Sequence, residues 1–162
     1  MSEKGEPWAA LSVGIRKAAA RVWLCAGGCC VGCAACGLWP SRGKEAGAKL
    51  RRALRIFEAA GEDYEQAVTL HNLAALKQLR GEDRQALAGY AQALAVKERV
   101  LGGGHPELGP TLVNLAAAWP GIGDDEERAR LCLERAVRIL APQVGAGHPT
   151  LAAACHTLES LA

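Results

Sequence analysis

The sequence predicts an all-α solenoid of antiparallel helix pairs, on three observations. Half of the 162 residues are apolar and 4% are aromatic, with Ala and Leu prominent, which favours close-packed helices over a sandwich or barrel. Residues 69–75, Thr-Leu-His-Asn-Leu-Ala-Ala, recur at 111–117 as Thr-Leu-Val-Asn-Leu-Ala-Ala. His105-Pro106 recurs as His148-Pro149 at almost the same displacement. A repeat of about 40 residues indicates stacked helix pairs.

The first complete unit contains two predicted helices. Its first helix is predicted over residues 64–79, because apolar side chains recur there at three- and four-residue intervals, and Asp63 with Gln66 suggests a capping box. Gly81 ends this helix. Asp83 is then expected to cap a second helix, which continues to Leu101 before three consecutive glycines.

The second complete unit repeats this arrangement. Pro106 fits the first turn of a third helix, where its missing N–H is not needed, and Pro120 is expected to cut that helix short. Asp124 and Glu127 offer a capping box for a fourth helix, which Pro142 breaks or shortens.

Incomplete units flank these two. The predicted organisation is a polar and basic leader at 1–21, a Gly- and Cys-rich apolar segment at 22–45, and a repeat region at 46–162. The repeat region divides into a partial unit at 46–62, complete units at 63–104 and 105–147, and a capping helix at 148–162. In the capping helix, the residues expected to face the stack are Leu151, Ala154, Cys155, Leu158 and Leu161.

The two units resemble tetratricopeptide repeats. In that pattern a large residue, a Leu, a small residue and another large residue mark the first helix, while Ala, an aromatic or Leu, and Ala mark the second. The matching positions are Leu70, Leu73, Ala74, Lys77, Ala86, Tyr90 and Ala93, then Leu112, Leu115, Ala116, Trp119, Ala129, Leu133 and Ala136. The unit length and the segments 100–106 and 111–116 are similar to kinesin light chain repeats in particular. The resemblance covers roughly residues 46–162 and implies a right-handed solenoid that binds other polypeptides.

Residues 22–40 carry no charge and are just long enough to cross a bilayer. Their Gly, Ala and Cys content contributes far less insertion energy than Leu, Ile or Phe would. A degenerate first helix that packs beneath residues 46–60 is therefore favoured over a membrane anchor, since buried Cys behaves as a small hydrophobe. A membrane-tethered adaptor remains an alternative.

Three cysteines in this segment, Cys30, Cys33 and Cys36, form C-x-x-C-x-x-C, the opening of a ferredoxin-type cluster motif. Pro40 stands where a fourth ligand would follow, and no second Cys or His pair is placed to close a tetrahedral site. A metal- or redox-active protein that uses residues 25–36 is thus an alternative, and the leading expectation is that the protein has no cofactor.

Several functional classes find little support. Lys and Arg exceed Asp and Glu by two, and the charges are interleaved, so nucleic acid is not an expected partner. His105-Pro106 recurs with the repeat, which favours a loop-shaping role over catalysis, and no catalytic motif is present, so no enzymatic activity is expected. The distribution of the cysteines does not suggest secreted disulfides, and a cytoplasmic location is expected.

Asn72 and Asn114 occupy the same register in the middle of the two first helices, where Asn has no propensity advantage. The resemblance implies that first helices line a concave groove and that these amides pair with the main chain of a bound extended peptide. The alternative, given equal weight, is that the amides bond within the stack. The predicted partner-binding residues are Asn72, Asn114, Val68, His71, Ala75, Gln78, Val113, Ala117 and Thr157, and the set lacks the Lys and Arg that would clamp a C-terminal carboxylate.

Overall fold

A computed structural model of the protein describes residues 39–119, 126–145 and 147–161. The α-helices of these ranges are α1 (Trp39–Ala60), α2 (Asp63–Gln78), α3 (Asp83–Leu101), α4 (Gly109–Ala118), α5 (Glu126–Leu140) and α6 (Pro149–Ser160). A 3₁₀ turn at Pro106–Leu108 leads into α4. No strand occurs within these ranges, and the predicted all-α solenoid is confirmed.

Each helix packs against the next one along the chain, and α4 also contacts α2 and α6. Small residues stand where the helices cross: Ala67, Ala74, Ala86, Ala93, Ala116, Ala129, Ala136 and Ala154 are all buried. Larger side chains fill the space between the crossings; Tyr90 and Phe57 are the largest of them, and fully buried leucines such as Leu112 and Leu133 come next. This alternation of small and large residues lets neighbouring helices approach closely without voids.

Two glycines end helices as left-handed caps. Gly61 and Gly81 have φ of 67° and 73°. The N–H of the residue after each glycine donates to a carbonyl five positions earlier, from Glu62 to Phe57 and from Glu82 to Lys77, both at 3.0 Å. These are Schellman motifs, which pair helix-terminal carbonyls that would otherwise lack donors. Gly81 therefore ends the first helix of its unit as predicted.

The predicted capping roles of Asp63 and Asp83 are wrong. Both residues already belong to their helices, the N-cap positions are Glu62 and Glu82, and neither of these side chains caps its helix with a hydrogen bond. The Asp63 carboxylate instead accepts from the Arg99 guanidinium at 2.9 Å, across to α3. Asp124, of the other predicted capping box, lies outside the described residues.

Replacing Gly81 with Ala is expected to lower the free energy of unfolding by about 1 kcal/mol, because an L side chain is strained at positive φ. An added Cβ would meet no atom within 4 Å, so the effect isolates backbone conformation. Gly104→Ala is the matched control, since Gly104 also has open space around it and does not have positive φ. Urea denaturation measures the free energy of unfolding of both variants. Equal values for Gly81→Ala and Gly104→Ala would contradict the expectation.

Two helices end shortly before a proline. α4 ends at Ala118, before Pro120, and α5 ends at Leu140, before Pro142, so both are shortened as predicted. α1 begins at Trp39, earlier than residue 46, where the repeat region was predicted to start. The prediction that Cys155 of α6 faces the stack is wrong. Cys155 is exposed, because Leu151 and Ala154 form the buried side of this helix.

The cysteine-rich segment with Cys30, Cys33 and Cys36, and nearly all of the span at 22–40, lie outside the described residues. Within the parts of the chain that the structure covers, no helix combines the length and apolar character needed to cross a bilayer. The same parts contain no cluster of three or more potential metal ligands.

Candidate functional site

The first helices of successive units, α2, α4 and α6, lie side by side on one face of the stack, because α4 contacts both neighbours. Between α4 and α6 this face contains a shallow groove of about 270 Å³, which we call the α4–α6 groove. Its lining residues are Pro110, Val113, Asn114, Pro149, Thr150 and Ala153.

Two predicted binding residues, Val113 and Asn114, line this groove. Pro110, Pro149, Thr150 and Ala153 were not predicted. The repeat contained a signal for two of them, because the displacement between units carries Val68, a predicted binding residue, onto Pro110 and then onto Ala153. α6 was, however, treated mainly as a cap.

A polar network between α2 and α4 holds the Asn114 side chain. Asn114 Nδ2 lies 3.2 Å from His71 Nε2, and His71 Nδ1 lies 3.1 Å from Thr111 Oγ1. Lys97 Nζ donates to Thr111 Oγ1 and to the Glu107 carbonyl, both at 3.2 Å. The network therefore links α2, α3, the 3₁₀ turn and α4.

The charges of this network follow from its burial. Burial, and secondarily the nearby Lys97 ammonium, lower the pKa of His71 from 6.5 to about 4. The imidazole is thus neutral near pH 7, so Nε2 can accept the Asn114 N–H when Nδ1 carries the proton. Only 4% of Lys97 is exposed. Burial lowers the pKa of its ammonium, and the Glu107 carboxylate opposes that shift.

Gln78 and Tyr90 add a second polar link between α2 and α3. The Tyr90 hydroxyl donates to Gln78 Oε1 at 2.9 Å, and the Tyr90 ring packs edge-on against His71 with 5.2 Å between ring centroids. Burial raises the pKa of Tyr90 to about 12. The amide oxygen of Gln78, a predicted groove residue, is therefore used by a hydrogen bond within the stack.

The remaining predicted residues occupy different environments. Ala75 is buried in the core, and Val68 packs against the cluster formed by α1 and α2. Ala117 is exposed, and the Thr157 hydroxyl donates to the Ala153 carbonyl of its own helix at 2.8 Å. The Asn72 side chain makes no hydrogen bond with another described residue. The two asparagines thus share a register but not an environment.

The repeated His-Pro pairs shape turns. His105 Nδ1 accepts the Glu107 N–H at 3.2 Å and so caps the 3₁₀ turn that Pro106 begins. His148 occupies the corresponding position before Pro149 and α6 but makes no side-chain cap bond. The His105 contact agrees with a structural role for this motif.

Residues 65–141 match the family model of the Tetratricopeptide repeat. This region consists of tetratricopeptide repeats. No curated protein matches the sequence. Among solved structures, BtubC (BKLC) from P. vanneervenii is similar with a TM-score of 0.68 and 20% identity over 92% of this chain and 54% of that one. Kinesin light chain TPR-like repeats from Podosopora anserina are similar with a TM-score of 0.65 and 22% identity over 92% of this chain and 64% of that one.

These likenesses establish the fold, and the predicted resemblance to tetratricopeptide repeats of the kinesin light chain kind is confirmed. The chain spans only 54% and 64% of the lengths of these two neighbours. Within the tetratricopeptide repeats, α2 and α4 are first helices, and α3 and α5 are second helices. Tetratricopeptide repeats generally mediate protein–protein interaction and are typically non-enzymatic scaffolds.

Proposed function

We propose that the protein is a non-enzymatic adaptor of the cytoplasm that binds a peptide from a protein partner along the face formed by α2, α4 and α6. The observation that carries this proposal is the α4–α6 groove, which has Asn114 in its wall. In this proposal the groove receives small apolar side chains of an extended peptide, and the asparagine amides hold its main chain.

The hydrogen-bonding capacity of Asn114 supports this role. A primary amide has two N–H donors and an oxygen that can accept two hydrogen bonds. One N–H points to His71, which fixes the amide, so the oxygen and the second N–H remain for a partner. An amide that both donates and accepts suits a peptide main chain and does not require a particular partner side chain.

The groove lining also defines the kind of peptide. Its six residues include no charged side chain, so it has no cation to pair with a C-terminal carboxylate. A weakly charged, mildly apolar internal segment fits this surface best. Asn72 extends the same face on α2, and Ala117 and Thr157 are its proposed neighbours on α4 and α6.

The test begins with selection of peptides from a random phage-displayed library on the full chain. For a selected peptide, Asn114→Ala is expected to weaken binding about tenfold, which is the effect of one hydrogen bond of about 1.4 kcal/mol. Ala153→Tyr places a ring in the groove at an exposed position and is expected to weaken binding more strongly. Fluorescence anisotropy measures the dissociation constants.

Gln85→Ala is the matched control, because it also removes an amide from a helix surface but lies on the opposite face. Circular dichroism of each variant verifies that the helices are intact. The proposal would be contradicted if every selected peptide bound the Asn72→Ala, Asn114→Ala double variant and the Ala153→Tyr variant as tightly as the original chain.

A further inference from the structure

A second and larger groove lies on the other face of the stack. It has a volume of about 430 Å³ and runs between α1 and α3, with α2 as its floor; we call it the α1–α3 groove. Its lining residues are Arg51, Leu54, Leu70, Leu73, Ala74, Lys77, Gln85, Ala88, Gly89 and Gln92. None of them belongs to the α4–α6 groove, so a ligand bound here would be independent of the peptide proposed for that groove.

The second repeat has a bulky side chain at the position where the first repeat has the α1–α3 groove. The displacement between the repeats carries Lys77 onto Trp119, and that indole packs on the core with the Arg128 guanidinium 5.1 Å from its ring centroid. The floor residues differ accordingly. Leu112 and Leu115 of the second repeat are only 1% and 8% exposed. Their counterparts in the first repeat, Leu70 and Leu73, are only partly buried.

The wall on α3 is also built from small residues. Ala88 and Gly89 of the groove correspond to Leu131 and Cys132 in the second repeat. Close packing accounts for Gly89, because an added Cβ would lie 3.0 Å from the Ala74 Cβ. Close packing does not account for Lys77. This residue leaves the leucines of the first repeat accessible, whereas Trp119 covers the corresponding leucines of the second repeat. Contiguous apolar surface with a polar rim is a feature of interaction sites.

The charges at the groove identify what it can receive. Arg51 and Lys77 are among the lining residues, and the lining includes no carboxylate. Neither of these two side chains makes an ion pair or hydrogen bond with another described residue. Each cation can therefore pair with a carboxylate brought by a partner, without first breaking a bond to those residues.

We propose that the α1–α3 groove is a second docking site, which takes an acidic segment of another protein. A bulky apolar side chain of that segment rests on Leu54, Leu70 and Leu73, and neighbouring carboxylates pair with Arg51 and Lys77. The amides of Gln85 and Gln92 lie one above the other along α3, two turns apart, and bond the main chain of the segment.

The experiment is peptide selection from a random phage-displayed library on the full chain, with counter-selection on the Lys77→Trp, Ala88→Leu variant. That variant introduces the side chains that the second repeat carries at these positions, while Gly89 is left in place. The peptides that survive counter-selection are expected to combine a bulky apolar residue with adjacent Asp or Glu. Their dissociation constants, measured by anisotropy, are expected to rise at least about tenfold with Arg51→Glu and Lys77→Glu combined.

Raising the salt concentration from about 0.05 M to 0.5 M is also expected to weaken these peptides, because it screens exposed charges. Ala153→Tyr, which blocks the α4–α6 groove, is the matched control and is expected to leave their binding unchanged. Peptides without acidic residues, or peptides insensitive to charge reversal, would overturn the proposal. A concentration-dependent dimer that Lys77→Trp dissolves would also overturn it, because the occupant would then be a second copy of the chain.

Discussion

Lowering the pH from 7 to 4 is expected to remove about 3 kcal/mol of stability through His71 alone, at about 1.4 kcal/mol per unit of pKa shift. In the fold, burial and the neighbouring Lys97 lower the pKa of His71 from 6.5 to about 4. The folded state therefore binds this proton more weakly than the unfolded state does. The stabilisation is fully present above about pH 6.5 and is lost progressively as the pH falls towards 4.

The network gives this loss a structural cause. Protonation places an N–H on both ring nitrogens, so Nε2 can no longer accept the N–H of Asn114. The Asn114 amide must then turn its oxygen to the ring or separate from it. A second positive charge would also develop close to the buried Lys97 ammonium.

His71→Gln tests this expectation, because glutamine keeps hydrogen-bonding groups but does not titrate. The variant is expected to be less stable than the original chain at pH 7 and to lose about 3 kcal/mol less between pH 7 and pH 4. Urea denaturation at several pH values measures the difference. His156→Gln is the matched control, since His156 is exposed on α6. Parallel stability curves for His71→Gln and the original chain would refute this role of His71.

The architecture was accessible from sequence because the determinants of stacking repeat with the units. Ala at each close crossing and Leu or Tyr in the spaces between crossings form a pattern that recurs after one unit, and the same positions are buried in the structure. Glycine ended the first helix as predicted, because Gly81 adopts the left-handed conformation of a helix cap. These features depend on local pattern and on packing between neighbouring helices.

Helix N-termini were predicted less well. Asp63 has the residue type and spacing of a cap, yet its carboxylate is paired with Arg99, which lies 36 positions away in the chain. A local motif does not reveal such a competing partner. The choice between a cap and an ion pair is made only when α2 and α3 pack together.

The candidate site shows the same limit more clearly. The repeat pattern treats Asn72 and Asn114 as equivalent, but the residue before Asn72 is His71 and the residue before Asn114 is Val113. His71 of the first repeat reaches across to Asn114 of the next, whereas Val113 has no polar group to offer in the same way. Differences within a repeat pattern, rather than the pattern itself, thus determine which amide is fixed. The role of both asparagines in binding remains a prediction.

Leu140→Ala is expected to lower the free energy of unfolding by about 2–5 kcal/mol, because Leu140 is 1% exposed and its removal leaves a cavity. Leu140 of α5 packs directly against the first residue of α4, Gly109. A Cβ added to Gly109 would lie 2.7 Å from Leu140 Cδ1 and 2.9 Å from Cδ2 and Cγ. Gly109→Ala alone is therefore expected to cost about 1–3 kcal/mol through overpacking.

The two substitutions are expected to compensate each other when combined. All three Leu140 atoms that the new Cβ would meet are absent in Leu140→Ala, so the methyl group that Gly109→Ala adds enters the vacated space instead of clashing. The double variant should be more stable than the sum of the single effects indicates, by at least about 1 kcal/mol. Gly104→Ala combined with Leu140→Ala is the control and should be additive, because nothing lies within 4 Å of a Cβ at Gly104. Urea denaturation of these single and double variants and their parent gives both coupling energies, and additivity at Gly109 would mean that Leu140 does not set the approach of α5 to α4.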